Sequence, residues 1–472
     1  MDGSSLSLID IGDLHLKDSD GTRQQALFFA IRKKIVQGLW VKNGKLPSTR
    51  KLSQALNLSR NTVISAYEQL VAEGYLNSQK GSGFYVAVEL PEQYLPEPNS
   101  VQRDSSPKAH FDINRAFAPG VPDLDAFPRH MSRTCLLGNQ DIQGSWALRC
   151  ALADYLASSR SVNCSPERII ITSGAQQALS IATMVALKQG DKILMEQPGY
   201  AQMRKLIQFQ NYQFEPLFVR EKLGFDVEAV TSSDADALYI TPSNQYPMGT
   251  TLNTEQRGKI INWAVEQSSW IIEDDYDSEF QFAHRPYTSL QGLAAQMGRD
   301  EHVLYVGSFS KVMFNGLRLG YLVVPERLVE QCLVVKDALS GDSPTHTQEA
   351  LADFITEGGL LRHIRKMRRL YKTKHEQMHL SIQQHFGDSV CVVSQAAGLH
   401  ITLKWQNGID ELRFTKLAEH EGIILRPLSY YEHPGFQARH WHGAVLGYGN
   451  IALENIDAGI QRLAQIFRHG KR

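Results

Sequence analysis

The sequence predicts two folded units of different class: a winged helix-turn-helix over residues 21–87 and, past a linker, an α/β domain over 111–472 that ends in a small α+β subdomain. Two patterns and one imbalance predict this. Three amphipathic helical stretches followed by a β-hairpin fill the N-terminal unit. From residue 111 onward, short apolar runs alternate with helical stretches, the pattern of a largely parallel sheet covered on both faces. The imbalance is electrostatic. Residues 21–86 hold ten Lys/Arg and two acids, a net +8, and the rest of the chain carries −9, so the overall −1 conceals a basic head on an acidic body. That points to a polyanionic partner for the head alone, although a basic run also suits a merely solvated surface.

In the head, residues 23–40 read as a helix, with Leu27, Phe28, Ile31 and Ile35 at helical spacing and Arg32, Lys33 and Lys34 facing away. Leu46-Pro47-Ser48-Thr49-Arg50 opens a second, short helix with Ser48 as N-cap and Leu52 and Leu56 inward. Ser59 caps a third helix through about Glu73, whose apolar stripe is Val63, Tyr67, Leu70 and Val71. Gly74-Tyr75-Leu76 begins a strand, and Gln79 to Gly83 turns it into Phe84-Tyr85-Val86. Arg60, Asn61, Ser65 and Glu68 lie outside the stripe. An Arg and an Asn in a first turn can make bidentate contacts to guanine and adenine edges in the major groove of double-stranded DNA. Ser48, Thr49 and Arg50 stand at a helix start, where free amides and hydroxyls suit a phosphate. Lys80 at the hairpin tip, beside Gly81, suits the DNA backbone or a minor groove.

Residues 88–110 carry four prolines (Pro91, Pro96, Pro98, Pro107) and no apolar period, and so read as a linker. Fully extended, it reaches roughly 70 Å. Beyond it the candidate strands are Ile169–Thr172, Lys192–Glu196, Ala237–Thr241, Trp270–Asp274, Val303–Gly307 and Gly320–Val324. Ser343 to about Gln384 is mostly helical. Gly398–Trp405, Ile423–Pro427, Ala444–Gly449 and a last helix form the small subdomain.

A chain of 472 residues leads us to expect two or three domains. No run is long and apolar enough for a membrane helix, and an N-terminus with Asp2, Asp10 and Asp13 does not resemble a signal peptide. Five scattered cysteines suit neither a disulfide framework nor a metal site. The expectation is a soluble cytoplasmic protein with no bound metal.

Several residues after strands carry chemistry. Lys311 follows Val303–Gly307 in Ser308-Phe309-Ser310-Lys311, and Arg318 comes seven residues later with a planar fork suited to phosphate. Ser173, Gly174, Ala175 and Gln176 lie between a strand and a helix, where free amides favour an anion. Asp274 ends a strand, Tyr276 follows it, and Tyr200 follows Gln197-Pro198-Gly199. Asn244 sits in the loop Pro242 to Gly249. Together these meet the needs of pyridoxal phosphate: an amine for its aldehyde, anion donors, an acid for its ring nitrogen, groups for its ring oxygen (Tyr276, Asn244), and a flat cover (Tyr200). Ser308 to Lys311 also spells the Ser-x-x-Lys of penicillin-recognising enzymes, but the Ser-Asp-Asn and Lys-Thr-Gly partners are missing and the lysine follows a strand.

The head resembles the GntR-type winged helix through Leu46 to Arg50, Ser59 to Val63, Ala66-Tyr67, Leu70, Glu73 to Tyr75 and Gly81 to Phe84. That resemblance implies DNA contacts at Arg50, Arg60, Thr62 and Gly81. Residues 111–472 resemble the fold-type-I aminotransferases through Phe117–Asp123, Gly144–Tyr155 and the pocket residues in order. With the run Glu273-Asp274-Asp275-Tyr276-Asp277-Ser278-Glu279-Phe280, the whole resembles the MocR/GabR subfamily of GntR regulators. The subfamily implies Lys311 as the residue that holds the cofactor covalently, Asp274 on the pyridine nitrogen, Tyr276 on the phenolic oxygen, Tyr200 over the ring and Arg318 on the phosphate. It also implies a head-to-tail homodimer in which each head lies over the partner's body.

One departure stands out. Aminotransferases commonly grip a substrate carboxylate with an arginine just before a Leu-Gly-aromatic run. Here Val445 precedes Leu446-Gly447-Tyr448, and Arg426 is the nearest substitute. The leading expectation is therefore a regulator that senses pyridoxal phosphate, alone or joined to an amino compound, with no assured catalytic residue. The alternative is a working aminotransferase with a DNA-binding appendage. A scaffold using neither ligand would leave both residue sets unexplained.

Overall fold

The computed structural model describes residues 22–36, 39–40, 42–79, 82–87, 141–282, 288–436 and 439–470. Lys80, Gly81, the linker at 88–110 and Phe117–Asp123 lie outside the described residues.

The head contains α1 (Arg23–Val36), α2 (Thr49–Ala55), α3 (Arg60–Ala72), β1 (Leu76–Gln79) and β2 (Gly83–Val86). Both short helices start where their caps require. The Ser48 hydroxyl accepts from the Lys51 amide at 3.2 Å, and the Ser59 hydroxyl accepts from the Thr62 amide at 3.1 Å. Such a bond satisfies one of the orphan donors of a helix start. Leu27, Phe28, Ile31, Ile35, Val63, Tyr67 and Leu70 are buried together, and β1 pairs antiparallel with β2, Leu76 opposite Val86. Two expectations fail. The first helix ends at Val36 rather than running to 40. Arg32 does not face away: it is buried, because the body covers that side of α1.

The body runs α4 (Trp146–Arg160), β3 (Ile169–Thr172), α5 (Ala175–Ala186), β4 (Lys192–Gln197), α6 (Ala201–Phe209), β5 (Gln213–Phe218), α7 (Val227–Thr231), β6 (Ala237–Ile240), α8 (Thr254–Glu266), β7 (Trp270–Asp275), α9 (Leu290–Gln296), β8 (Val303–Ser308), β9 (Gly320–Val323), α10 (Val329–Ser340), α11 (Thr345–Thr356) and α12 (Gly359–Phe386). Its sheet has the order β3-β9-β8-β7-β6-β4-β5. Strands β5, β4, β6, β7 and β8 are mutually parallel, and β9 is antiparallel to both β8 and β3. The sequence reading missed β5. It is an edge strand containing Pro216 and polar residues, and only an edge tolerates the missing donor.

The two faces of the sheet are covered differently. Met195, Tyr239, Ile272 and Leu304 pack with residues of α5, α6 and α10. Leu194, Leu238, Ile271 and Val303 face the other way, into a cluster that includes α8, α9 and the apolar residues of the head. Head and body thus share one continuous core. Beyond α12 come β10 (Cys391–Val392), β11 (His400–Trp405), α13 (Glu411–His420), β12 (Arg426–Pro427), β13 (His442–Gly447) and α14 (Ile456–His469). They form an antiparallel sheet of order β10-β11-β13-β12, packed against residues of α12, α13 and α14. The strand expected at 423–427 is only the two residues of β12.

Candidate cofactor pocket and DNA-facing surface

The parallel strands end at a cavity of about 250 Å³, lined by Ala175, Gln176, Tyr200, Tyr239, Thr241, Tyr246, Asp274, Tyr276, Ser308, Ser310, Lys311 and Arg318. Ligands of open α/β sheets bind at such carboxyl ends. The structure therefore gathers Lys311, Asp274, Tyr276, Tyr200, Arg318, Ala175 and Gln176 from segments far apart in sequence.

Asp274 is buried, and its Oδ2 accepts from the Tyr239 hydroxyl at 2.7 Å. Its Oδ1 is buried with no hydrogen-bond partner. Burial pushes this carboxyl up to about 7, the Tyr239 hydrogen bond opposes the rise and Asp275 adds to it. An unsatisfied carboxylate oxygen in a pocket wall is the atom that a ring N–H would satisfy. Tyr276 donates from its hydroxyl to the Asn244 carbonyl at 2.9 Å, and burial holds the phenol well above its ordinary value. Tyr276 is therefore a neutral donor. The Asn244 amide does not reach the pocket, because it donates to both oxygens of Asp277 at 2.9 and 3.2 Å. Asn244 positions Tyr276 through its carbonyl.

The anion cradle depends on close backbone approach. Gly174, with φ +107°, precedes α5, and no side chain caps that helix. A Cβ on Gly174 would lie 3.7 Å from the Arg318 guanidinium, and a Cβ on Gly320 would come within 2.7 Å of the Gly174 carbonyl carbon. Arg318 itself holds φ +51°, a left-handed conformation that costs a non-glycine residue energy and is concentrated at functional sites. Free amides of α5 and the Arg318 fork thus face one space. Ser173 is exposed and lines an adjoining groove with Gln176, Tyr200 and Arg318. Burial raises the Tyr200 phenol to about 12. These residues fit pyridoxal phosphate: an amine at Lys311, an acid with a vacant acceptor, a neutral phenol donor and an anion cradle.

Sequence reasoning gave no role to Tyr239, Thr241 or Tyr246, nor to Ser308 and Ser310 beyond their place beside Lys311. Tyr239 was detectable as an aromatic with a polar tip inside the aliphatic run of β6. Tyr246 shares a hydrogen bond with Tyr431 at 2.9 Å, a contact between distant segments that spacing does not reveal. Arg426 pairs with Val445 across β12 and β13, but its side chain is exposed and its guanidinium lies 5.6 Å from the Tyr430 ring centre. It is not among the lining residues of the cavity.

On the head, Ser48, Arg50, Arg60 and Asn61 are exposed at the starts of α2 and α3, and Thr49 and Thr62 are half-buried. The Thr62 hydroxyl is shared with that of Ser59 at 2.8 Å. The other end of α3 meets the body, and its first turn is left exposed.

The chain matches the model for bacterial regulatory proteins of the gntR family over residues 23–86 and that for aminotransferase class I and II over 124–438. It is 33% identical to the probable rhizopine catabolism regulatory protein MocR of Rhizobium meliloti, covering 96% of this chain and 95% of that protein. It is 30% identical to the pyridoxine biosynthesis transcriptional regulator PdxR of Corynebacterium glutamicum, covering 89% and 90%. Among solved structures, the α-aminoadipate aminotransferase LysN of Thermus thermophilus, complexed with N-(5'-phosphopyridoxyl)-L-leucine, aligns with a TM-score of 0.64 at 24% identity, over 70% of this chain and 83% of that one.

Proposed function

Because the chain belongs to the MocR-type regulators, which join a gntR winged helix to an aminotransferase class I and II domain, we propose that it is a pyridoxal-phosphate-dependent regulator whose grip on an operator responds to that cofactor, alone or joined to an amino compound. The observation that carries this reading is the buried Asp274 with its unpartnered Oδ1, facing the same cavity as Lys311, Tyr276 and Arg318. Bound pyridoxal phosphate supplies an aldehyde that reacts with an amine and a ring that withdraws electrons when protonated. Lys311 offers the amine. Asp274, drawn to its anionic form by a ring cation, keeps the ring nitrogen protonated. Tyr276 would turn its one hydroxyl proton from the Asn244 carbonyl to the ring oxygen, Tyr200 covers the ring, and Arg318 with the amides of Ala175 and Gln176 holds the phosphate.

Residues 21–87 serve as the DNA-binding domain, 88–110 as linker and 111–472 as the effector domain of a cytoplasmic homodimer. In this structure the head rests on its own body, and a linker able to span roughly 70 Å lets it reach that of a second copy. The similarity to PdxR, a transcriptional regulator of pyridoxine biosynthesis, supports the cofactor itself as effector. Val445 and the exposed Arg426 weigh against tight capture of ordinary amino acids. The test is spectroscopic titration of the cofactor-free protein with pyridoxal phosphate, then with a panel of amino acids. A saturable visible band that persists without turnover supports the sensor. Multiple turnover of an amino donor would make the protein an aminotransferase, and failure to bind the cofactor would end the reading.

A further inference from the structure

We propose that the buried polar joint centred on Thr288 is the relay through which the head's seat on the body depends on what the pocket holds, an inference that rests on the cofactor reading above. Thr288 uses its polar groups toward both units. Its hydroxyl donates to Glu73 Oε2 at 2.6 Å and accepts from Arg32 Nη1 at 2.6 Å, and both residues belong to the head. Its carbonyl accepts from Arg257 of α8. Arg32 also donates to Ser161 at 3.0 Å, and the Thr254 hydroxyl donates to the Glu73 carbonyl.

From this residue two arms lead to the pocket. The amides of Leu290 and Gln291 donate to Glu273 at 2.7 and 2.8 Å. Glu273 precedes Asp274 on β7, and successive strand residues point to opposite faces. Asp274 therefore faces the cofactor cavity while Glu273 and Asp275 face the joint. The second arm passes through arginines. Arg257 donates to the Pro242 carbonyl at 2.9 Å, while Arg160 donates to Asp275 at 2.6 Å and to Ser243 at 2.9 Å. Pro242 and Ser243 open the loop whose Asn244 carbonyl holds Tyr276. Arg32, Arg257, Arg160, Glu73, Glu273 and Asp275 are all buried, so three guanidinium and three carboxyl groups link the head to the strand bearing Asp274.

An interface built only for adhesion needs no such network. Buried polar groups tolerate few alternative arrangements, because each shift leaves a group unsatisfied. A displacement of β7 or of the 242–244 loop on cofactor binding is thus passed to residues 288–291 and to Glu73 and Arg32. Coupling further requires that the cofactor bind the two seatings unequally.

The experiment uses the full-length protein. Operator affinity is measured with and without pyridoxal phosphate for wild type, Thr288→Val, Thr288→Ser and Glu73→Gln, with cofactor affinity followed by absorbance. Wild type should show a ratio between the two operator affinities in the range of about 5–150-fold. Thr288→Val should bring that ratio to within about twofold of one while cofactor binding persists, and Thr288→Ser, which keeps the hydroxyl, should restore it. If Thr288→Val does not fold, Glu73→Gln supplies the same loss of ratio. A variant that weakens DNA binding equally in both states, or keeps the wild-type ratio, shows the joint to be structural and overturns the relay alone. A wild-type ratio of one, both with the cofactor alone and with amino compounds added, overturns the cofactor-sensing reading and the relay with it.

Discussion

In the head, Arg50, Arg60 and Asn61 stand in water at helix starts that Ser48 and Ser59 already cap. In the body, Asp274, Glu196 and Asp277 are buried, and burial pushes their carboxyls up to about 7, about 7 and about 8. The exposed head groups therefore add little to the cost of folding, while Asp274, the one of these three carboxyls that lines the cavity, is held against a penalty that a ligand can relieve. Substitutions in the head should change binding and leave stability alone. Substitutions in the pocket should move binding and stability in opposite directions, the trade-off common at functional sites.

The largest expected effect is at Lys311. Lys311→Ala should abolish the visible band of lysine-bound cofactor, and an unchanged band in the variant would remove Lys311 from its role. Next comes Arg60→Ala, which should weaken operator binding by about 1–3 kcal/mol if Arg60 makes a bidentate base contact, with no shift in melting temperature. If the ratio of operator to random-DNA affinity stays intact, α3 does not read bases through Arg60.

Asp274→Asn gives the contrast in stability. The unfolded chain ionises this carboxyl near 3.8, and the folded, cofactor-free protein holds its proton up to about 7. Between those values the folded state binds the extra proton, so Asp274 costs increasing stability as pH rises, reaching its full cost above about 7. The variant should therefore melt higher than wild type by on the order of a few degrees at pH 8, with a smaller gain at pH 5, and should bind cofactor weakly. Equal destabilisation at both pH values would contradict this. The smallest effect is expected of Lys80→Ala, which should lower affinity for all DNA and reduce the slope of log affinity against log salt by about one. A loss confined to the operator would make Lys80 a base reader.

The elements of the head were legible because caps and stripes are local: Ser48, Ser59 and the Val63–Tyr67–Leu70 spacing need no distant partner. Arg32 was misjudged for the complementary reason, since its burial depends on Ser161 and Thr288 of the body. The parallel strands of the body were legible as buried aliphatic runs, whereas β5, with Pro216 on an edge, carried no such run. Lys311, Asp274 and Arg318 could be found by their place after strands. Tyr239 and Tyr246 acquire roles only when β6, β7 and the loop at 242–249 come together. Spacing also could not show that Asp277 would take the Asn244 amide.

If the contents of the pocket set the grip on DNA, operator affinity measured at fixed salt must register them. Three samples suffice: cofactor-free protein, protein loaded with pyridoxal phosphate, and loaded protein with a panel of amino compounds. Loading with the cofactor alone should change operator affinity several-fold, while affinity for random DNA stays the same. Identical operator affinity in all three samples would contradict it.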